Sequence, residues 1–491
     1  MRLSPIQAAR TLFGYNAVED KGRRQAPQKY TQHEAKILTP TKHGKLRATT
    51  QEQIRNHALV AWMVRKHLDY VSKFHISFKT DLPDLDALVN RIFKWHGKPR
   101  NLDHGRRFGR DELFRLFELE KVVCGDAALL KLDDLRLQAI ESDLIAQGQA
   151  APGTKLPDGI NSEGLIMGGD GAWVEQYAIC HRGETGGKVI FDHLEPAENV
   201  IFDGYWTRLA SQRRGISPLA TAINTVQDIH EAFEFNLIKA KMHALFGMAI
   251  FRDPDTNEFG GAGGSLAEVS GTAATASDSN LDLNPRAVNI LDLNAEDKVQ
   301  VLESGTPSGE FVDGSYLFIQ IAMLALDIPI TCFDSRRSSF SARIADLNEY
   351  EVSVESKRTK NRYVLQEYSD WVLAMLWNSP QWQLGNIADR NGMDLRAVQE
   401  AVEWIPSGSP WLDKYKQVQG DDLAISLGLD NAIDAARRRG SDVFKNIEKQ
   451  AKVIAFAKAN GVPLTMGKSG VRTVEEIVSE EVTEQAQEQP A

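Results

Sequence analysis

Gly461-Val462-Pro463-Leu464-Thr465-Met466-Gly467-Lys468-Ser469 has the residue types of a loop that wraps phosphate with consecutive amides. Such a loop needs four residues between its first Gly and the Gly-Lys pair. Here five intervene, and no buried strand precedes them. His57 and His67 stand ten apart without a Glu at metalloprotease spacing, and His75, His96 and His104 are scattered. The three cysteines, Cys124, Cys180 and Cys332, lie far apart and show no paired metal-ligand spacing. There is no Gly-x-Ser-x-Gly elbow, and the carboxylates are too many and too evenly spread to nominate a catalytic pair. The expectation is a chain with no catalytic residue, no metal and no cofactor. Its rival is a DNA-processing enzyme, a nuclease or packaging ATPase, whose turnover would depend on Lys468.

The chain has 491 residues, 42% apolar and 25% charged, enough for several domains' worth of soluble core. A formal net charge of −10 argues against a protein that coats nucleic acid over its whole surface. It is compatible with a passage through which DNA must slide without sticking. Unpaired cysteines suggest a reducing, intracellular setting. Met1-Arg2-Leu3-Ser4-Pro5 leads into a polar, basic stretch, not a signal peptide. The most apolar run, Leu317 to Leu326, is about ten residues, too short for a bilayer.

The elements that would carry any site follow from periodicity. Residues 1–49 read as a partly disordered arm. Thr50-Gln51-Glu52-Gln53 reads as a capping box opening a helix through Ile54, Ala58, Trp62, Leu68 and Val71. Helices follow at Leu85–Trp95 and Arg110–Val123, then strands at Ala127–Leu132, Leu135–Ile140, Trp173–His181, Gly187–Leu194 and Asn199–Phe202. Ser217 and Pro218 cap a helix of about 28 residues, about 42 Å long, with Leu219, Ile223, Val226, Ile229, Phe233 and Leu237 on one stripe. Residues 253–284 are rich in Gly, Ala, Ser, Thr and Asp and read as a mobile loop between short strands. A second helix, Glu310 to Leu326, must stop before Ile328-Pro329. Ser341 is placed to cap a third long helix running to Asn378. Residues 389–460 read as a small helical unit, and the acidic stretch from Met466 as a disordered tail.

Three segments carry a family resemblance in order and spacing. Gln212-Arg213-Arg214-Gly215-Ile216-Ser217-Pro218-Leu219 resembles the run by which lambda-type phage portal proteins reach their central helices. Ser339-Phe340-Ser341-Ala342-Arg343 is similar to that family's short start of another long helix. Trp411-Leu412-Asp413-Lys414-Tyr415-Lys416-Gln417, then Gly428-Leu429 and Arg439-Gly440-Ser441-Asp442, is similar to its C-terminal signature. Two departures, Lys414 where the family has Pro and Gln417 where it has an acid, fall at a helix start.

The resemblance implies a helix-rich α+β portal fold assembled as a ring, usually of twelve subunits, in the virion at one capsid vertex. Its parts would be a wing (50–216), stem helix 1 (217–247), a clip (248–308), stem helix 2 (309–328), a tunnel loop (329–341), a long wing helix and connection (342–388) and a helical crown (389–465), before the tail at 466–491. The ring would be the channel for DNA packaging and ejection, with no membrane contact. Implied partners are further copies of the chain, the large terminase, the major capsid or scaffold protein, a head-completion or adaptor protein, and double-stranded DNA passing non-specifically. In the tunnel loop Arg336, Arg337, Ser338 and Ser339 become candidates for transient phosphate contact; solvated arginines, or partners for nearby Asp334, are the alternative. Arg214, Gly215, Arg343 and Asp413 become structural or intersubunit candidates.

Overall fold

The computed structural model describes residues 38–462 except 81, 170, 184–187, 210–211, 246–247, 252–297, 302–307 and 409–413. The arm before residue 38, the loop expected at 253–284, Asp413, the lysine of the phosphate-loop look-alike and the acidic tail lie outside the described residues.

Pro40 at the first helical position starts α1 (Pro40–Asn56), ten residues earlier than the expected capping box. Thr50 is therefore mid-helix, and its hydroxyl donates to the Val123 carbonyl at 2.7 Å instead of capping anything. His57 is extended, so the expected single helix is two, and α2 covers Ala58–Val71. Next come β1 (Phe74–Phe78), α3 (Pro83–His96), the single turn α4 (Pro99–Leu102) and α5 (Arg110–Cys124). The strands β2 (Asp126–Lys131), β3 (Leu137–Ile140), β4 (Leu165–Met167), β5 (Val174–Arg182), β6 (Val189–Pro196) and β7 (Val200–Gly204) form two antiparallel sheets, ordered β3-β2-β7 and β4-β5-β6. Leu135, expected in a strand, sits at φ 65° in the turn before β3.

Ser217 does cap, accepting from the Leu219 amide, but what it caps is a 3-10 turn, Pro218–Thr221. The α-helix proper, α6, runs Ile223–Leu245, 23 residues and so about 35 Å long. Strands β8 (Met248–Phe251) and β9 (Lys298–Val301) pair antiparallel, Met248 opposite Val301. Then α7 (Gly309–Met323) returns, continues as a 3-10 turn to Leu326, and ends at left-handed Asp327 before Ile328-Pro329. The longest helix, α8 (Phe340–Leu376), has 37 residues, about 55 Å. Its cap is Ser339, whose hydroxyl accepts from the Ala342 amide at 3.2 Å, not Ser341.

The largest departure from expectation lies between residues 384 and 406. After α9 (Leu384–Arg390) and α10 (Leu395–Glu400), Val402–Pro406 is a strand, β10, pairing antiparallel with β1, Phe74 opposite Pro406. These residues are not part of a separate helical unit. Leu384, Ala388, Val398, Val402 and Trp404 share one core with α3, α5 and the second half of α8, centred on fully buried Tyr368. A second core joins α2 to the near ends of α6 and α7 and to Tyr350 and Val354 of α8. A third lies between the two sheets. Only α11 (Lys414–Ser426), α12 (Ala432–Arg438) and α13 (Val443–Ala459) stand apart, with Ala435 and Ala457 the buried apolar residues among those described. Gly428 and Gly440, both at positive φ, end α11 and α12, while Asn431 and Asp442 cap α12 and α13, so Gly428, Gly440 and Asp442 of the C-terminal signature punctuate helices.

Candidate assembly and channel site

The segment leading into α6 is clamped by its own side chains. Gln212 accepts from the Thr207 and Arg208 amides and donates to the Tyr205 and Arg214 carbonyls, closing a turn. Arg214, 5% exposed, meets fully buried Asp126 at the start of β2 with two bonds of 2.8 Å, Nε to Oδ2 and Nη2 to Oδ1. Its remaining donors go to the carbonyls of Ser142, Ile145 and Glu163. Burial works against the charge on Asp126, but Arg214 and the Ser142 hydroxyl hold its carboxyl below the usual range. The Gly215 amide donates to the same carboxylate at 2.8 Å, and a Cβ there would overlap the Gly125 carbonyl. Ser217 donates to the Val122 carbonyl at 2.6 Å. Arg214 and Gly215 therefore act within one chain, joining α6 to the β2 sheet.

Beside this clamp lies a second buried charge network. Lys121 reaches Glu118 (2.9 Å), Asp203 (2.5 Å) and the Asn361 side chain (2.8 Å), and Glu118 also accepts from His67 and Tyr205. Burial alone would raise the Glu118 pKa, but Lys121 and the His67 hydrogen bond hold it well below the carboxylate range. Burial lowers the His67 pKa against the pull of Glu118. Neither network has an open face for a substrate, so both are read as positioning α6 and α8. Sequence reasoning missed Asp126, Glu118 and Lys121, because a buried acid carries no periodic signal.

The α6–α7 pair shows two unlike outer faces. Phe233 and Phe311 meet edge to face, ring centres 5.4 Å apart, which sets the shared side. At about 100° per residue, Phe235 and Ile238 point away from it on α6, as do Leu317 and Ile321 on α7, with exposed Leu324 opening the 3-10 turn that follows. All five are exposed, from 44% at Ile321 to 67% at Phe235. Gly309–Leu326, 18 residues and 17% buried, is long and apolar enough to cross a membrane by length and composition, longer than the ten-residue run suggested. Its companion α6 carries exposed Glu231, Glu234, Lys239 and Lys241, which suits a protein neighbour better than lipid.

Both loop arginines are already engaged within the chain. Arg336 bonds Asp334 through Nε (3.0 Å) and Nη2 (3.2 Å). Arg337 reaches Asp313 of α7 at 3.1 Å and lies 4.5 Å over the Tyr316 ring. Ser338 bonds the Ser335 carbonyl and Ser339 caps α8. Arg343, in the first turn of α8, is exposed. A groove of about 690 Å³ between α6, α7 and this loop is lined by Leu237, Phe311, Tyr316 and Phe333 together with both arginines.

Residues 21–314, more than half of the chain, match the family described as phage portal protein, lambda family. The chain belongs to that family. It is a phage-like portal protein, a structural subunit of a capsid vertex. Among solved structures it is similar to a chain in the virion of a native gene transfer agent particle, at 14% identity and TM-score 0.41, covering 80% of this chain and 90% of that one. It is also similar to chains in the neck of the empty particle computed with C6 symmetry (13%, TM-score 0.44, 87% and 95%) and of the native particle computed with C12 symmetry (13%, 0.41, 82% and 94%). No curated protein matches it. The family match spans the α6 clamp, both sheets, β8 and β9, and the first residues of α7. Among the described residues of this portal chain, no group of three or more His, Cys, Asp or Glu is placed to hold a metal. Burial raises the pKa of all three cysteine thiols, which keeps them as poor nucleophiles.

Proposed function

We propose that this portal subunit closes into a ring by packing the outer face of α6 in one copy against the outer face of α7 in the next. The observation that carries this is the pair of unlike apolar faces on one helix pair. Exposed apolar surface of this extent marks a partner. Two different faces on the same subunit give a head-to-tail contact, which generates rings where the rotation closes. A dodecamer is the family's usual count.

In this reading α6 and α7 are the stem, β8 and β9 belong to the clip, α1–α5, β1–β7, β10 and α8–α10 form the wing, and α11–α13 form the crown. The segment 329–339 is the tunnel loop, with Arg336 and Arg337 turned to DNA. The clip docks the terminase during packaging and head-completion proteins afterwards, the outer wing meets capsid or scaffold protein, and the ring resides in the virion. Energy for translocation comes from the partner motor, and the chain itself turns nothing over.

Imaging of the purified protein, with mass determined in parallel, tests this. Rings with a central hole are the expected result. Uniform monomers that cleave DNA with metal or ATP would replace the reading with the enzyme.

A further inference from the structure

Arg336 and Arg337 are poor candidates for firm phosphate binding as they stand. Arg336 is 89% exposed at its side chain, yet its Nε–Nη2 edge is taken by Asp334, whose Oδ1 also accepts from the Arg336 amide at 3.0 Å. Arg337, 47% exposed, divides its charge between Asp313 and the Tyr316 ring. The four charges sum to zero. Three of them come from the loop sequence Asp334-Ser335-Arg336-Arg337 itself, and Asp313 is supplied by α7, so the arrangement spans two elements.

We propose that Asp334 and Asp313 are built-in competitors for the loop arginines, which keep the hold on passing duplex phosphate weak and quickly exchanged. This rests on the reading that the loop faces DNA. Exposed ion pairs are loose and screened by salt, so a phosphate that takes the Nε–Nη2 edge of Arg336 displaces a carboxylate, not water alone. On leaving, it is replaced by that carboxylate, and the arginine is never left bare. Removal of the carboxylates would turn each loop from an exchanging contact into an anchoring one, and the effect is multiplied around a ring.

The test uses assembled rings of the full chain, titrated with a short linear duplex across a range of salt concentrations. Asp313→Asn with Asp334→Asn is the informative double variant, because the side-chain amide oxygen introduced at position 334 still accepts from the Arg336 backbone amide and preserves the turn. The expected result is at least about five-fold tighter binding at low salt with a steeper salt dependence, each added phosphate contact steepening the log–log slope by about 0.9. Adding Arg336→Gln and Arg337→Gln should abolish that gain. If the double Asp→Asn variant binds like the wild type while the two Arg→Gln changes alone weaken binding, the competitor role is wrong and the DNA-facing loop stands. If neither variant changes binding, the DNA-facing reading fails and takes the proposal with it.

Discussion

Arg214 and Asp126 form a two-point ion pair, each bond 2.8 Å, that is buried within the chain and that no neighbouring subunit is needed to complete. It joins the residue before Gly215 to the first residue of β2, and so fixes where the helix pair leaves the sheet. Breaking a buried pair by removing one partner costs about 3–5 kcal/mol, since the other charge stays buried alone. Asp126→Asn is expected to lower unfolding free energy in urea by about that amount. A loss below about 1 kcal/mol would mean the pair does not hold the junction.

Gly215→Ala is expected to be as damaging as the charge change, although it removes no contact. The new Cβ collides with the Gly125 carbonyl, and Gly125, at φ 102°, has no room to move because it meets Gly215 in turn. Thermal melting of the variant beside Asp126→Asn checks this, and an unshifted melting temperature would contradict it.

Acid should weaken the fold as buried histidines are driven to take up protons, His96 and His43 among them. His96 accepts from the Tyr368 hydroxyl at Nδ1 and, since a carbonyl only accepts, donates from Nε2 to Leu135; the ring is neutral. Burial lowers its pKa to about 4, and burial with nearby Arg47 lowers that of His43 to about 4 as well. Folded values below the unfolded one mean that the unfolded chain takes up protons first as pH falls. Stability is therefore full above pH 6.5 and drains as pH drops towards 4, by about 3 kcal/mol per histidine. Urea midpoints across this range should show the decline, and His96→Asn should remove its own share while leaving that of His43.

The start of α8 distinguishes two serines. Ser339→Ala removes the cap and is expected to cost about 1 kcal/mol, whereas Ser341→Ala, inside the first turn, should cost next to nothing. Equal costs would contradict the assignment of the cap.

A chain ending at Gly408 should remain folded. Helices α11–α13 reach β1 and β10 through polar contacts, Asp442 to Ser77, Lys445 to the Ile76 carbonyl and Arg437 to Glu403, while their large apolar side chains, Leu429 and Phe456 among them, are exposed. Unchanged near-ultraviolet circular dichroism and cooperative melting of the shortened chain are expected. Loss of the transition would show that these helices complete the core.

How much of this is written in the sequence depends on the range over which each residue acts. Ser217 caps the 3-10 turn that leads into α6, and Asp394, Asn431 and Asp442 cap α10, α12 and α13, each through a bond to an amide two or three residues on. Thr50 has the same look of a cap, but Pro40 outcompetes it upstream. Phe74-His75-Ile76-Ser77-Phe78 and Val402-Glu403-Trp404 both alternate, a strand signal that the helical reading of their surroundings passes over. Their pairing joins residues more than 300 apart, and nothing in either segment names the other. Arg214 and Gly215 stand out through the family resemblance, but their partners Asp126 and Gly125 do not, because buried ion pairs and close backbone approaches leave no periodicity. The loop arginines are legible beside Asp334, while Asp313, on another helix, is not.

The central claim is head-to-tail packing of two unlike faces, and a mixing experiment tests it most directly. Phe235→Asp with Ile238→Asp disables the α6 face, and Leu317→Asp with Ile321→Asp disables the α7 face. Each variant alone should be a folded monomer by native mass measurement. Mixed, they should form a heterodimer and nothing larger, since one intact pair of faces remains. Rings from either variant alone, or a homodimer of one variant, would contradict the account.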